Sequence, residues 1–183
     1  MTSGSNTLKI GLAGGIGSGK SYVARRLALR GIRVYDCDSA AKRIMRSEAI
    51  QQQLQALIGS KPDKQALTQY LLQSDDHARA INAIVHPAVF ADFEQSGLEW
   101  LESGIMYESG ANRYVDRVVV VTAPEEVRLQ RIMQRDGISR KQALQWLSRQ
   151  WPQERVRQLA DFEIVNDGLT DIDKQLNNIL EQL

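Results

Sequence analysis

The run Gly14-Gly15-Ile16-Gly17-Ser18-Gly19-Lys20-Ser21 fits the pattern G-x-x-x-x-G-K-[ST] at every fixed position. Each residue type has a chemical reason to stand there. Glycines, lacking a Cβ, let successive backbone N–H groups converge on phosphate oxygens. A helix that starts near Lys20 adds the positive end of its dipole. The Lys20 ammonium is suited to the β- and γ-phosphates, and the Ser21 hydroxyl is of the kind that ligates Mg²⁺. The chemistry so described is the binding of a nucleoside triphosphate.

The remaining reactive residues narrow what is done with it. Neither D-x-x-G nor N-K-x-D occurs, so the switch and base-reading elements of a GTPase are missing. The acids Asp36 and Asp38 directly follow the strand-like Val34-Tyr35. A kinase places an acid there to orient or deprotonate an acceptor hydroxyl. Asp38 has a plainer alternative as the cap of a helix starting at Ser39. Arg128, Arg131 and Arg135 share one helical face, and Arg131, a full turn inside, is the best placed to meet charge on a transferring phosphoryl group. A solvated face is the plainer reading of all three. Asn166 stands just past an apolar strand, where such sheets place ligand contacts, and is equally suited to a turn. His77 and His86 lack metal-ligand spacing. Cys37, flanked by aspartates, suits packing better than nucleophilic attack. Trp100, Trp146 and Trp151 read as core or lid filling.

These groups need a scaffold, and the patterning supplies one. Leu8 to Ala13 predicts a buried strand, Lys20 to Arg30 a helix stopped by Gly31, and Ile32 to Tyr35 a second strand. That is a strand–helix–strand unit of a parallel α/β sheet. Residues 39–96 predict helices, punctuated at Pro62 and Pro87, and a third strand lies somewhere in 100–107. The four-valine run of Arg117 to Thr122 suits a strand covered on both faces. Pro124 opens a helix that buries Val127, Leu129, Ile132 and Met133 and ends at Asp136-Gly137. Ser139 caps another, running to Trp151 and broken at Pro152. Residues 153–160 are helical again, Phe162 to Val165 is the last strand, and Leu169 to Leu183 is a closing amphipathic helix.

Composition excludes several classes. The chain has 183 residues, a formal charge of +1 and one cysteine. A near-neutral balance argues against a nucleic-acid-binding surface, and one thiol forms no internal disulfide. No apolar run approaches a membrane span, and Met1 to Thr7 carries no signal-peptide core. A cytoplasmic location is expected, with no obligate protein partner.

The segments GLAGGIGSGKS (11–21), VYDCD (34–38), INAIVHPAV (81–89), YESG (107–110), RIMQRDG (131–137) and QWPQERVRQLADFEIVNDG (150–168) together resemble the dephospho-coenzyme A kinases. The resemblance runs from Ile10 to Gly168. Its most specific parts are the His-Pro pair after a helical insertion and the A-D-F-x-I-x-N ending. It implies ATP as phosphoryl donor with Mg²⁺, and a small-molecule acceptor, dephospho-CoA, phosphorylated on its ribose 3′-hydroxyl. By position, Gly15 to Tyr22 would bind ATP phosphates, with Arg157 and Asn166 near the lid and adenine. Asp38 would be the base and Arg131 would stabilise the transferring group. Asp36, His86, Pro87 and Glu108 would lie on the acceptor side. The chain departs from the family pattern in having Tyr22 where Thr is usual. It also lacks an L-D-R triplet in 58–66 and has Glu102 to Glu108 in place of Pro-Leu-Leu-Phe-Glu.

The resulting expectation is a P-loop kinase domain over 1–183: a five-stranded parallel sheet flanked by helices, a helical acceptor insertion over about 39–96 and a lid over about 137–157. Lys20, Asp38 and Arg131 carry catalysis, and Ser21 serves the metal. The alternatives are a P-loop kinase for another small hydroxyl acceptor, or a nucleotide-binding module without turnover.

Overall fold

The structure, a computed structural model, describes residues 7–183. The polar stretch read above as lacking a signal-peptide core lies, up to Asn6, outside them. The chain divides into two compact units. One comprises the residues up to Tyr35 together with Leu98–Leu183, and the other is Asp36–Gly97.

The first unit is built on a five-stranded parallel sheet in the order β2-β3-β1-β4-β5. The strands are β1 (Ile10–Ala13), β2 (Val34–Asp36), β3 (Trp100–Ser103), β4 (Arg117–Thr122) and β5 (Phe162–Val165). β1 sits between β3 and β4, with Ala13 level with Ser103 on one side and Val120 on the other. All four β1 residues are buried, and so are Val118 to Thr122, because helices cover both sheet faces. Helix α1 (Lys20–Ala28) contributes Val23 and Leu27, and α9 (Ile172–Leu180) contributes Ile172, Leu176 and Ile179. Arg26 of α1 and Arg30 in the turn after it both pair with Asp173 of α9.

Order in the sheet fixes the site. From β1 the chain passes over to β2, returns to β3, and then crosses to β4 on the other side of β1. The C-terminal end of β1 is therefore the point where the strand order reverses, and ligands bind in the crevice outside that point. The loop 14–19 leaves β1 there.

Helix α6 (Glu125–Asp136) and the short α7 (Arg140–Leu147) form a hairpin around Leu129, Ile132 and Ala143, with Ile16 packed against them. Ser139 and Gln142 form a reciprocal capping box at the start of α7. That helix ends at Leu147 rather than Trp151, because residues 148–150 turn back to bond Leu144, Trp146 and Leu147 carbonyls. Helix α8 (Gln153–Leu159) follows Pro152. Val127 and Met133 are only half-buried, and the buried side of α6 includes Arg128 instead. Ile105 to Tyr107 lies in a turn beyond β3, not in the strand.

The second unit is helical: α2 (Cys37–Ile44), α3 (Glu48–Ile58), α4 (Lys64–Gln73) and α5 (Asp75–Ser96). Helix α5 packs with the other three, and Arg43 of α2 pairs with Asp92 of α5. Pro87 does not punctuate this region. It sits inside α5, which continues through it with one fewer backbone donor. The cap of α2 also differs from expectation. The helix begins at Cys37, so Asp36, not Asp38, is its N-cap. Cys37 is buried, as packing requires.

Candidate active site

The glycine positions of the loop 14–19 have no room for side chains. At Gly14 (φ 143°) a Cβ would stand 2.5 Å from the Val121 carbonyl oxygen. At Gly17 (φ 79°) it would meet the Arg128 carbonyl oxygen at 2.7 Å, and at Gly19 (φ 93°) it would run into Asn166 Nδ2. Positive φ alone favours glycine at these positions, and the close approach of neighbouring atoms leaves no alternative. The Ser18 side chain is wholly buried, and its hydroxyl has no protein partner. Most buried polar groups find a partner; the Ser18 hydroxyl shares its lack of one with His77 Nδ1 and the Tyr107 hydroxyl.

Two expected residues, Arg131 and Asn166, converge on the loop. Arg131 NH1 donates to the Gly17 and Ser18 carbonyl oxygens, both at 3.3 Å, and NH2 donates to Asn166 Oδ1 at 3.2 Å. Asn166 Nδ2 donates to Ser18 O at 2.8 Å, and its backbone N–H donates to Thr122 O at 2.7 Å. Asn166 is thus a buried strap between the end of β5, the end of β4 and the loop. Arg135, on the same helix, points elsewhere and pairs with Asp136.

Three residues at the loop were not assigned to the site from the sequence. Arg128 is buried and its Nε donates to Ile16 O at 3.0 Å. Burial works to lower its pKa, against the partial support of Glu125; a guanidinium nonetheless keeps its charge. Its spacing with Arg131 placed it on the right face, but nothing in the spacing says which arginine turns inward. Glu102, near the end of β3 beside β1, accepts a hydrogen bond from the Ser21 hydroxyl at 3.4 Å. It falls in the segment that departs from the family pattern. Gln150 Oε1 accepts from the Ile16 N–H at 2.8 Å, and its Nε2 donates to Gly104 O at 3.0 Å. A single glutamine between two helices carries no periodic signal.

The other expected residues are placed as follows. Tyr22 is exposed on α1, with Arg25 over its ring. Glu108 accepts from the Trp151 N–H at 2.9 Å. Arg157 is held by Glu163 and Glu154, at 2.8 and 3.1 Å. Tyr107 stacks parallel to Trp151, its hydroxyl buried and pushed up to about 12, chiefly by that burial and further by Asp161. Asp36, Asp38, His86 and Pro87 belong to the helical unit. Asp36 accepts from Asp38 N, Ser39 N and the Ser39 hydroxyl, at 2.9, 3.1 and 2.6 Å. Burial acts to raise its carboxyl, but these bonds outweigh it and hold the pKa below the ordinary value. Asp38 is exposed in the first turn of α2. His86 is half-buried in mid-α5, and burial lowers its imidazole pKa. Among the described residues no cluster of three or more His, Cys, Asp or Glu could hold a metal ion by itself.

A glycine cradle leaving the central strand of a five-stranded parallel sheet flanked by helices is the architecture of the P-loop kinases. Solved P-loop kinases share the fold: a dephospho-CoA kinase from Campylobacter jejuni (TM-score 0.65, 21% identity, covering 95% of this chain and 96% of that one) and a shikimate kinase from Acinetobacter baumannii (0.57, 17%, 97% and 92%). A solved Thermus thermophilus protein superposes more closely, at TM-score 0.82 with 33% identity over 96% and 97%. The family model for dephospho-CoA kinase matches residues 8–171. Relatives named dephospho-CoA kinase are 37% identical in Bacteroides fragilis (88% of this chain, 85% of the relative) and 39% in Porphyromonas gingivalis (87% and 86%). This chain belongs to the dephospho-CoA kinase family.

Proposed function

We propose that this protein transfers the γ-phosphoryl group of ATP to the ribose 3′-hydroxyl of dephospho-CoA, yielding CoA and ADP. Family membership supports the acceptor, and the glycine cradle fastened by Arg131 and Asn166 is the observation that carries the donor side. The bond from the γ-phosphorus to the bridging oxygen of ADP breaks as the bond to the 3′-oxygen forms. Asp38 orients that hydroxyl and takes its proton. Its exposed carboxylate is available for this, whereas Asp36 is engaged as a helix cap. Lys20 and Arg131 meet the charge that spreads over the transferred oxygens, so catalysis rests on positioning and electrostatics. Arg131, already aligned by three carbonyl and carboxamide oxygens, pays little reorganisation to do so.

Mg²⁺ is the cation such a reaction takes, neutralising charge between the β- and γ-phosphates. The donor set fits it: a hydroxyl at the head of α1 with a carboxylate 3.4 Å away. Ser21 would hold it directly and Glu102 through a water, the usual economy of a cation that keeps most of its hydration. In this reading the helices of 36–97 bind the acceptor and 137–157 is the lid. Arg157, Glu108, His86 and Pro87 remain as contacts of lid and acceptor. ATP consumption measured across dephospho-CoA, shikimate, gluconate and nucleosides tests the proposal. It predicts turnover with dephospho-CoA alone, and preference for another acceptor contradicts it.

A further inference from the structure

Gln150 stands where the end of a triphosphate would be read. Its carboxamide bridges the phosphate loop and the turn after β3, and the orientation is fixed by its partners. Ile16 N–H can only donate and Gly104 O can only accept, so Oε1 faces the loop and Nε2 faces Gly104. The backbone around it is pinned. Gln150 N–H bonds Leu147 O, and Trp151 N–H bonds Glu108. The Trp151 ring lies parallel to Tyr107 with centroids 6.4 Å apart, and the Arg155 guanidinium lies 3.4 Å from its centroid.

The surroundings of that carboxamide are those of an anion site. A Cβ placed on Gly15 would lie 2.6 Å from Arg128 NH2 and 3.0 Å from Gln150 Oε1, so a guanidinium and the carboxamide oxygen flank one point. A Cβ on Gly104 would lie 3.5 Å from Gln150 Nε2 and 3.6 Å from Lys20 Nζ. The amide end therefore shares a neighbourhood with the ammonium that serves the β- and γ-phosphates. Gln150, Gly14, Gly15, Gly104 and Arg128 line one cleft. An uncharged oxygen that accepts a phosphate-loop N–H beside a guanidinium does what a phosphate oxygen does when nucleotide is bound.

We infer that Gln150 is a ligand of the terminal phosphate of ATP, and that without nucleotide it satisfies the Ile16 N–H itself. When a triphosphate arrives, a γ-oxygen takes over the Ile16 N–H and the carboxamide turns its Nε2 toward the γ-phosphate. A diphosphate does not reach this point and leaves the carboxamide in place. Gln150 thus sets the preference of the loop for ATP over ADP, the selection a kinase needs to release its product. The inference rests on ATP being the phosphoryl donor and is independent of the acceptor.

Calorimetric titration of the whole protein with Mg²⁺ and either ADP or the non-hydrolysable triphosphate AMP-PNP tests it, in wild type, Gln150→Ala and Gln150→Glu. A lost hydrogen bond to a charged group predicts that Gln150→Ala weakens AMP-PNP by about tenfold, while ADP affinity stays within about threefold. Gln150→Glu, near-isosteric and unable to donate, weakens AMP-PNP further by repulsion. Loss of both nucleotides alike, or an unchanged ratio with a lowered melting temperature, makes Gln150 a structural pin and overturns the inference. If Gln150→Ala does not fold, Gln150→Glu carries the test. A protein that makes no CoA yet shows the shifted ratio refutes the acceptor reading alone.

Discussion

Two aspartates two residues apart divide the labour that the sequence left open. Asp36 has three hydrogen bonds to accept at the head of α2, and Asp38 is exposed beside it. Asp38→Asn is therefore expected to reduce turnover by at least about 10²-fold, the scale of a general base, with ATP affinity nearly unchanged. Steady-state kinetics beside nucleotide titration checks this, and equal loss of both contradicts Asp38 as base. Asp36→Ala instead removes a cap worth about 1 kcal/mol, read as a lower melting temperature. At Gly19 the prediction differs in kind. Its φ of 93° and the Asn166 amide in the way of any Cβ mean that Gly19→Ala must displace the Asn166 strap. Nucleotide affinity and melting temperature should fall together, and an alanine variant with wild-type affinity would refute the cradle as described. The phosphate-loop residues were legible because glycine spacing is itself the chemistry. Arg128, Glu102 and Gln150 were not, because what distinguishes them is which neighbour their side chains meet across the fold.

At the scale of elements, the strand–loop–helix unit and the last strand read clearly from the sequence, since apolar runs and glycines mark both ends. Phe162–Val165 was bounded as observed. Pro87 misled, because a proline looks like a boundary while a long helix packed along one side can absorb one lost hydrogen bond. The cap of α2 misled by two residues, because both candidate caps are aspartate. Helix α5 carries a pH prediction. Burial holds His86 below its ordinary value near 6.5, so the unfolded chain binds the proton more readily. Stability from this group is then complete above about pH 6.5 and is lost as pH falls through the lower folded value. Melting temperature should therefore fall more steeply between pH 7.5 and 5.5 in wild type than in His86→Gln. Equal slopes would contradict a depressed imidazole.

For the whole molecule, the proposed function rests on a sheet that brings Gly14–Ser21, Glu102 and Asn166 to one end of neighbouring strands, and on α6 supplying Arg128 and Arg131 from behind. Strand order was beyond the reach of periodicity, which reports that a strand is buried but not who its neighbours are. The placement of β3 between β1 and β2 is what sets Glu102 beside Ser21. No described helix is long and apolar enough to cross a membrane. The most direct measurement is the product itself: mass spectrometry and ³¹P NMR after incubation with ATP, Mg²⁺ and dephospho-CoA, with Lys20→Ala as the blank. The account predicts a species one phosphate heavier than dephospho-CoA, esterified at the 3′ position and absent from the blank. A folded protein that binds ATP and leaves dephospho-CoA unchanged, or phosphorylates it elsewhere, would contradict it.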